Sequence, residues 1–263
     1  MSETAALVLC ERRGPVGLLT INRPKTLNAL NVDTLQALES ALADLEADET
    51  VRAIVVTGAG ERAFVAGGDI ADLDSRQGLA HYQEFAEVIH RVFRRFEISD
   101  KPTIGAINGW ALGGGTELLL TLDIRLVAQE ARLGLPEITL GLFPGAGGTQ
   151  RLIRQIPLCR AKEMMFCGEQ ISAEEAVALG LCNRTVPRER LLDEAIAMAT
   201  KIAEKSPLTL KLLKRSLRDG AEMPLPMALS HEQAMIGLVL DSEDAHEGCR
   251  AFLEKRAPRF TGR

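Results

Sequence analysis

Two glutamates and a run of glycines are the residues of this sequence best suited to chemistry. Glycines occupy positions 113–115 ahead of a predicted helix, and Glu117 stands in its first turn before the leucines at 118–120. Glu137 follows a proline in a second apolar stretch, LGLPEITLGLFPG. Burial among apolar side chains raises the pKa of a carboxyl group, which suits the group to proton transfer near neutral pH.

The glycine run also offers backbone N–H groups as hydrogen-bond donors. A helix that begins at these glycines directs unpaired N–H groups and the positive end of its dipole outward. The loop AGGD at positions 66–69 offers further donors, and two converging donors are a common way to stabilise an oxyanion. Each glutamate alone has a structural explanation, Glu117 as a partner of the helix dipole and Glu137 as a cap. Together with the glycines, the two predict a site for proton transfer beside a carbonyl.

The elements that must hold these residues are predicted from hydrophobic periodicity. Asn31 or Asp33 caps a helix with leucines at helical spacing, a longer amphipathic helix covers about 80–97, and 64–69 is a loop. Because apolar strands alternate with helices, we predict an α/β fold with a largely parallel sheet. The predicted strands are an antiparallel pair at 7–10 and 16–21 and buried strands at 53–56, 103–107 and 123–128.

The last part of the chain has a different pattern. Beyond Asn183 the pattern becomes helical throughout, with no convincing strand after Val186 and with helix starts at Ser206-Pro207, at Met223-Pro224 and at 241–243. We therefore predict a core of residues 1–200 and a helical region of residues 201–263 that packs on the core or on a neighbouring subunit.

Composition excludes several classes of protein. The 263 residues are 46% hydrophobic and 25% charged, the ordinary globular balance. A net charge of −5 and the lack of a basic, aromatic-rich face argue against nucleic acid as the main partner. No apolar run reaches the roughly 20 residues of a membrane span, and the N-terminus lacks the pattern of a targeting peptide. We expect a soluble protein of a reducing cytoplasm.

The metal-binding residue types show no metal-binding pattern. Five cysteines lack the spacing of a zinc site or a disulfide framework and are expected to be reduced, mostly buried thiols. Four histidines have no ligand spacing and are expected at the surface. We therefore predict no metal site.

Two glycine-rich motifs resemble nucleotide-binding loops only in part. GAGERA at 58–63 fits a dinucleotide fingerprint, but no amphipathic helix follows it. GAGGTQR at 145–151 lacks the GK[ST] ending of a phosphate loop. We interpret the second motif as a tight turn into a helix around 152–154.

Several segments spread over nearly the whole chain form a recognisable set. They are NRPKTLNAL (22–30), FVAGGDI (64–70), NGWALGGGTE (108–117), PEI (136–138), GLFPGAGGTQRL (141–152) and FLEKR (252–256). Together they strongly resemble the crotonase (enoyl-CoA hydratase/isomerase) superfamily. The resemblance implies a spiral core of ββα units and a helical C-terminal region that builds homotrimers, often paired into hexamers. It implies an acyl-CoA substrate and no metal or redox cofactor, because coenzyme A is part of the substrate.

The resemblance also assigns reactive roles residue by residue. Gly68 and Gly114 match the two backbone donors that polarise the thioester carbonyl, and relatives often carry alanine at the first position. Glu117 matches the glutamate that holds and activates water for addition to Cβ. Glu137 matches the glutamate that exchanges the proton at Cα. These roles are those of an enoyl-CoA hydratase.

Binding roles follow from the same resemblance. Trp110 stands where many relatives have tyrosine and is expected to shape the acyl pocket. The other residues expected to contact the substrate are Lys25 and Leu27 at the coenzyme A entrance, Ala66, Asp69 and Ile70 along the pantetheine channel, and Lys255 and Phe260 from the C-terminal region. For Lys25 and Lys255, a solvated surface charge is the alternative.

Three kinds of function remain open at this point: an enoyl-CoA hydratase, another enzyme of the same superfamily, and a non-catalytic binding protein. Isomerases of the superfamily commonly keep only the carboxylate at the Glu137 position, so the presence of Glu117 favours a hydratase. Specialised dehydratases can share both glutamates, and lyases of degradation pathways belong to the same superfamily. A non-catalytic protein that binds RNA or acyl-CoA is the alternative from another class.

Overall fold

The apolar runs of the sequence form the strands of two sheets. The computed structural model describes residues 6–76 and 78–263. In those ranges the strands are β1 (Val8–Arg13), β2 (Val16–Ile21), β3 (Ala53–Gly58), β4 (Ala63–Val65), β5 (Thr103–Ile107), β6 (Trp110–Leu112), β7 (Ile124–Ala128), β8 (Arg132–Gly134), β9 (Gln170–Ser172) and β10 (Arg184–Val186).

The helices of the same ranges surround these sheets. A π-helical turn, Tyr82–Ala86, joins the third helix to the fourth, and short 3-10 turns span Pro24–Thr26 and Pro136–Leu140. The helices are α1 (Val32–Ala47), α2 (Ile70–Asp74), α3 (Gly78–His81), α4 (Glu87–Ile98), α5 (Gly114–Leu119), α6 (Gly148–Gln155), α7 (Leu158–Cys167), α8 (Ala173–Ala178), α9 (Arg188–Ala203), α10 (Pro207–Gly220), α11 (Leu225–Leu240) and α12 (Glu243–Leu253).

The order of the strands shows a repeated ββα unit. The larger sheet has the order β1-β2-β3-β5-β7-β10, and the smaller has the order β4-β6-β8-β9. The pairs β3/β4, β5/β6 and β7/β8 each place one strand in each sheet, and helical residues follow each pair. Every pairing within the larger sheet is parallel except β1 with β2. The predicted α/β fold with a largely parallel sheet is confirmed.

The shortest strands were not predicted. Residues 64–69 were expected to form a loop, but Ala63–Val65 is β4, a buried strand that pairs with β6. The region beyond Asn183 was expected to be helical, with no convincing strand after Val186. Arg184–Val186 is the short strand β10, which pairs with β7, and only helices follow it in residues 187–263. A strand of three residues is too short to show a period of two, so hydrophobic patterning could not reveal it.

The first long helix has the predicted cap and the predicted buried face. The side chain of Asn31 accepts a hydrogen bond from the Thr34 amide at 2.9 Å, which satisfies one of the unpaired donors at the start of α1. The apolar face of α1 packs against α4, whose Phe93 and Phe96 are fully buried. The helix predicted over 80–97 consists of α3, the π turn and α4.

The C-terminal helices begin at the predicted caps and leave much apolar surface uncovered in the single chain. Ser206 and Ser242 accept hydrogen bonds from the amides of Thr209 and Ala245. Helix α11 has no buried residue, and six of its large apolar side chains are 47–70% exposed: Leu225, Met227, Leu229, Ile236, Leu238 and Leu240. Within residues 6–76 and 78–263, no helix has the length and hydropathy that a bilayer span requires.

The expectation of mostly buried cysteines was wrong for this chain. Cys182 is buried, whereas Cys10, Cys159, Cys167 and Cys249 are exposed. The burial of cysteine is a statistical tendency, and here the position of each residue on its strand or helix decides its exposure.

Candidate active site

One cavity collects the loops that follow three strands of the smaller sheet. Gly68 follows β4, Gly114 follows β6 and Glu137 follows β8, and all three residues line a cavity of about 730 Å³. Because β4, β6 and β8 are parallel, their carboxyl ends meet at one edge of the sheet, where ligands of such sheets commonly bind. The cavity is lined by Gly68, Ile70, Leu73, Asp74, Arg76, Gly78, His81, Phe85, Ala86, Ile89, Gly114, Glu117, Glu137, Leu140, Leu142, Phe143, Gly145 and Ala146.

The glycine run turns the chain from β6 into α5 in very little space. Gly113 has φ +50°, a conformation that side-chain-bearing residues rarely adopt, and a Cβ atom there would lie 3.0 Å from a carboxylate oxygen of Glu137. A Cβ atom at Gly115 would lie 2.0 Å from the carbonyl oxygen of Val65. Glycine is therefore required at both positions for the turn and for the close packing of α5 on β4.

Gly68 and Gly114 lie next to each other in the wall of the cavity. An ideal Cβ atom on Gly114 would lie 3.6 Å from the amide nitrogen of Gly68, so the two residues are adjacent. Among the described residues, neither amide donates a hydrogen bond to another protein group. The loop that carries Gly68 is held by hydrogen bonds of 2.8 Å from the Leu30 amide to Gly67 and from the Asp69 amide to Leu30. Two fixed, unpaired donors of this kind can stabilise a developing oxyanion.

Glu117 is buried, and its carboxylate is anchored by backbone amides. Its side chain projects from the first turn of α5, and the residue is only 3% exposed. Oε1 accepts hydrogen bonds from the amides of Ala146 at 2.7 Å and Gly148 at 2.8 Å. Burial raises the pKa of Glu117, while the two amides and the charge of Arg151 act in the opposite direction.

Glu137 has a less firmly held carboxylate. It lies in the 3-10 turn that follows β8, and Oε2 is buried without a hydrogen-bond partner among the described residues. Burial and, to a smaller extent, the negative charge of Glu117 together raise the pKa of Glu137 to about 7. A carboxyl group with a pKa near neutrality can both accept and donate a proton.

The amides that hold Glu117 belong to a motif whose role the sequence did not reveal. GAGGTQR at 145–151 was interpreted as a turn into a helix, and it does lead into α6. It also supplies both hydrogen-bond donors to Glu117. Its closely spaced glycines were the only signal of this role, because backbone donors have no side-chain signature.

The walls of the cavity were also missed by the sequence interpretation. Phe85 and Ile89 come from the π turn and α4, and Phe143 comes from the loop before α6. His81 was expected at the surface, but it is only partly exposed, stacks on Phe85 with ring centroids 5.6 Å apart and lines the cavity. His81, Phe85 and Ile89 are four residues apart and share one helix face, but the sequence alone does not show which neighbour that face borders.

Of the residues predicted to bind substrate, Ile70 lines the cavity with the four reactive residues, and the other seven do not. The Leu27 carbonyl accepts a hydrogen bond from the Ala66 amide at 3.1 Å. The Asp69 carboxylate forms an ion pair with Arg23 at 2.9 Å.

Trp110, Lys25, Lys255 and Phe260 lie at or near the surface. The guanidinium of Arg62 lies 5.5 Å from the centre of the Trp110 ring. Lys25 and Lys255 are exposed. Phe260 packs near Gly248 of α12, 3.5 Å from where a Cβ atom of that residue would be.

The strand pattern and the site together define the class of protein. Three ββα units wound into a spiral, with a cavity at the carboxyl edge of the smaller sheet, form the crotonase fold. Residues 11–263 match the model of the enoyl-CoA hydratase/isomerase family, and the chain belongs to this family.

Individual relatives cover the chain almost completely. A Clostridium acetobutylicum protein named short-chain-enoyl-CoA hydratase is 41% identical and covers 95% of this chain and 95% of its own length. The 2,3-dehydroadipyl-CoA hydratase of Escherichia coli is 40% identical, covering 97% of this chain and 99% of its own. The crystal structure of an enoyl-CoA hydratase from Bacillus anthracis superimposes with a TM-score of 0.94 at 37% identity, covering 98% and 100% of the two chains.

Proposed function

We propose that the protein is an enoyl-CoA hydratase, which reversibly adds water in the syn sense to a 2-enoyl-CoA thioester to give a 3-hydroxyacyl-CoA. The observation that carries this proposal is the meeting of two carboxyl groups of raised pKa and two unpaired amides in one cavity. The names of the relatives, a short-chain-enoyl-CoA hydratase and a 2,3-dehydroadipyl-CoA hydratase, support the same reaction class.

The geometry suggests how the charge of the reaction is stabilised. Addition of water to Cβ transfers negative charge through the conjugated system to the thioester oxygen. The amides of Gly68 and Gly114 would donate hydrogen bonds to that oxygen, and the loss of one such donor typically lowers the rate about 10²- to 10³-fold. Because hydration changes no net oxidation state, the reaction needs no redox cofactor.

The two glutamates divide the proton transfers. Oε1 of Glu117 is committed to two amides, so its other oxygen can orient a water molecule and take its proton. Glu137, with a pKa of about 7, delivers a proton to Cα. One carboxyl group is then protonated and the other ionised at the start of each turnover, in either direction.

The binding residues implied by the family resemblance complete the proposal. Ile70 lies in the cavity, which supports a channel for pantetheine along Ala66, Asp69 and Ile70. The hydrogen bond between Leu27 and Ala66 joins that channel to the expected coenzyme A entrance at Lys25 and Leu27. We assign Trp110 to the acyl end, and Lys255 and Phe260 to the coenzyme A end.

We further propose that residues 201–263 form a region distinct from the core of residues 1–200 and assemble the chain into a homotrimer or a hexamer. The uncovered apolar side chains of α11 support this assembly, since exposed apolar patches of this kind mark protein–protein contacts. Light scattering during gel filtration measures the assembly directly, and a monomer at micromolar concentration contradicts it. The four exposed thiols fit a reducing compartment such as the cytoplasm.

The hydratase proposal is tested by the loss of crotonyl-CoA absorbance in the presence of the purified protein. The wild-type chain should hydrate crotonyl-CoA, and Glu117→Gln and Glu137→Gln should each lose most of that activity while keeping the wild-type circular dichroism spectrum. No hydration by the wild-type chain, with crotonyl-CoA or with longer, branched and cyclic enoyl thioesters, overturns the proposal. Undiminished hydration by both variants does the same.

A further inference from the structure

The loop that anchors Glu117 is itself held from behind by one guanidinium group. The amides of Ala146 and Gly148 point to Oε1 of Glu117. The carbonyl of Ala146 lies between these two donors along the chain, and it accepts a hydrogen bond of 3.0 Å from Nη1 of Arg151. The loop is therefore fixed from both sides, by the carboxylate in front and by the arginine behind.

The guanidinium has its own fixed partner. Nε and Nη2 of Arg151 donate to the two carboxylate oxygens of Glu97 at 2.7 and 2.8 Å. The side chains of Arg151 and Glu97 are only 16% and 29% exposed, so solvent weakens this pair little. Glu97 stands in the last turn of α4, where the negative end of the helix dipole disfavours a carboxylate. The bidentate ion pair with Arg151 offsets this unfavourable position of the Glu97 carboxylate.

Gly147 provides the space that the arginine occupies. A Cβ atom at Gly147 would lie 1.9 Å from Nη1 of Arg151, and the residue has φ +102°. The guanidinium thus lies directly against the backbone of the loop, where any larger residue would displace it.

From these contacts we propose that Arg151 is a positioning residue for hydration. Oriented by Glu97, it holds the Ala146–Gly148 loop so that both amides remain directed at Oε1 of Glu117 and the other carboxylate oxygen remains available to water. The role of the water rests on the proposed function, whereas the effect of Arg151 on Glu117 does not.

The same contacts predict that Arg151 influences the pKa of Glu117. The charge of Arg151 and the two amides lower the pKa of Glu117 against the effect of burial, so their loss should raise that pKa further. The other charged or titratable groups around the cavity are Glu137, Asp74, Arg76 and His81, and a substitution of Arg151 leaves all four in place.

The test compares Arg151→Gln, Arg151→Lys and Glu97→Gln with a control in the same helix. Arg154→Gln is the control, because Arg154 has a 53% exposed side chain that forms an ion pair with exposed Glu222 at 3.5 Å and donates hydrogen bonds to Gln150 of its own helix. We expect Arg151→Gln to lower kcat for crotonyl-CoA about 10- to 100-fold, since a misplacement of about 1 Å can cost roughly 10²-fold. KM should change little, and the acidic limb of the kcat profile should move to higher pH.

The lysine variant separates charge from geometry. Arg151→Lys keeps the positive charge but loses the planar fork, so it should lower kcat while leaving the acidic limb closer to that of the wild-type protein. Glu97→Gln keeps Arg151 and should lower kcat by a smaller factor. If all three variants match Arg154→Gln in kcat and pH profile, the proposal is wrong.

A measurement without substrate distinguishes this proposal from the proposed function. The carboxyl carbon of Glu117 can be titrated by ¹³C NMR in the wild-type protein, in Arg151→Gln, in Arg151→Lys and in the control Arg154→Gln, with Glu117→Gln used to assign the signal. A higher titration midpoint in both Arg151 variants than in the control supports the role of Arg151 even if no enoyl thioester is hydrated, since the lysine keeps the positive charge and a rise there reports the loosened amides. A midpoint in both Arg151 variants equal to that of the control overturns it even if the wild-type protein is an active hydratase.

Discussion

The amide nitrogen of Gly148 lies 2.8 Å from Oε1 of Glu117, although 31 residues separate the two positions along the chain. This contact joins the helix that follows the glycine run to the glycine-rich loop before α6. It fixes the orientation of the Glu117 carboxylate in the cavity. It also stabilises a charge that burial without hydrogen bonds would make unfavourable.

Substitution of Gly148 should therefore disturb the carboxylate directly. A Cβ atom at this position would lie 2.9 Å from Oε1 of Glu117, so Gly148→Ala must move the carboxylate. We expect kcat for crotonyl-CoA to fall about tenfold or more. Gly220→Ala is the control, because the nearest atom to its Cβ would be 3.7 Å away. Equal kcat values for the two variants would show that the contact has no part in catalysis.

The donor role of Gly114 can be separated from its size. Gly114 is the first residue of α5, the position where a helix tolerates proline. Gly114→Pro removes the N–H group and should lower kcat about 10²- to 10³-fold. Gly114→Ala keeps the N–H group, and its Cβ would lie no closer than 3.6 Å to any neighbour, so it should retain most activity. Comparable losses in the two variants would point to packing and not to the hydrogen bond.

The carboxyl pair should give a bell-shaped pH dependence. Hydration requires one proton on the pair formed by Glu117 and Glu137, so kcat/KM should fall when the pair either gains or loses a proton. With the pKa of Glu137 at about 7, activity should decline as pH rises above neutrality. Assays of crotonyl-CoA hydration at graded pH measure this, and a kcat/KM that stays constant as pH rises from neutrality into the alkaline range would contradict the role of Glu137 as the proton donor.

The same pKa makes a prediction about stability. Burial raises the folded-state pKa of Glu137 from its ordinary value of 4.5 to about 7, so folding favours its neutral form. Its ionisation therefore destabilises the fold as pH rises from about 4.5 to above 7. Glu137→Gln should therefore be more stable than the wild-type protein at pH 8, by about 1–2 kcal/mol after allowance for partial exposure.

At pH 4, where Glu137 is neutral in both the folded and the unfolded chain, the advantage of Glu137→Gln should vanish. Urea unfolding at the two pH values measures the difference. If the stability gain of Glu137→Gln is equal at the two pH values, its cause is packing and not charge.

The amino-acid sequence by itself determined the main frame of the protein. The buried strands β3, β5 and β7 were evident because each is an apolar run, and the cap of α1 was evident because Asn31 precedes helically spaced leucines. The glycine run and the apolar surroundings of Glu117 and Glu137 predicted the two glutamates as one site, and the family motifs assigned a role to each. These features are local, or they depend on residue types that have few alternative explanations when they occur together.

Only the tertiary structure decided how the site is held and enclosed. The contact of Glu117 with Gly148 and the ion pair of Arg151 with Glu97 join segments 31 and 54 residues apart, and such contacts depend on the path of the chain. The amides that anchor Glu117 have no side-chain signature, and nothing in the sequence shows that the helix face with Phe85 and Ile89 borders the cavity. The sequence could therefore name the reacting groups, while the fold alone sets their orientation and surroundings.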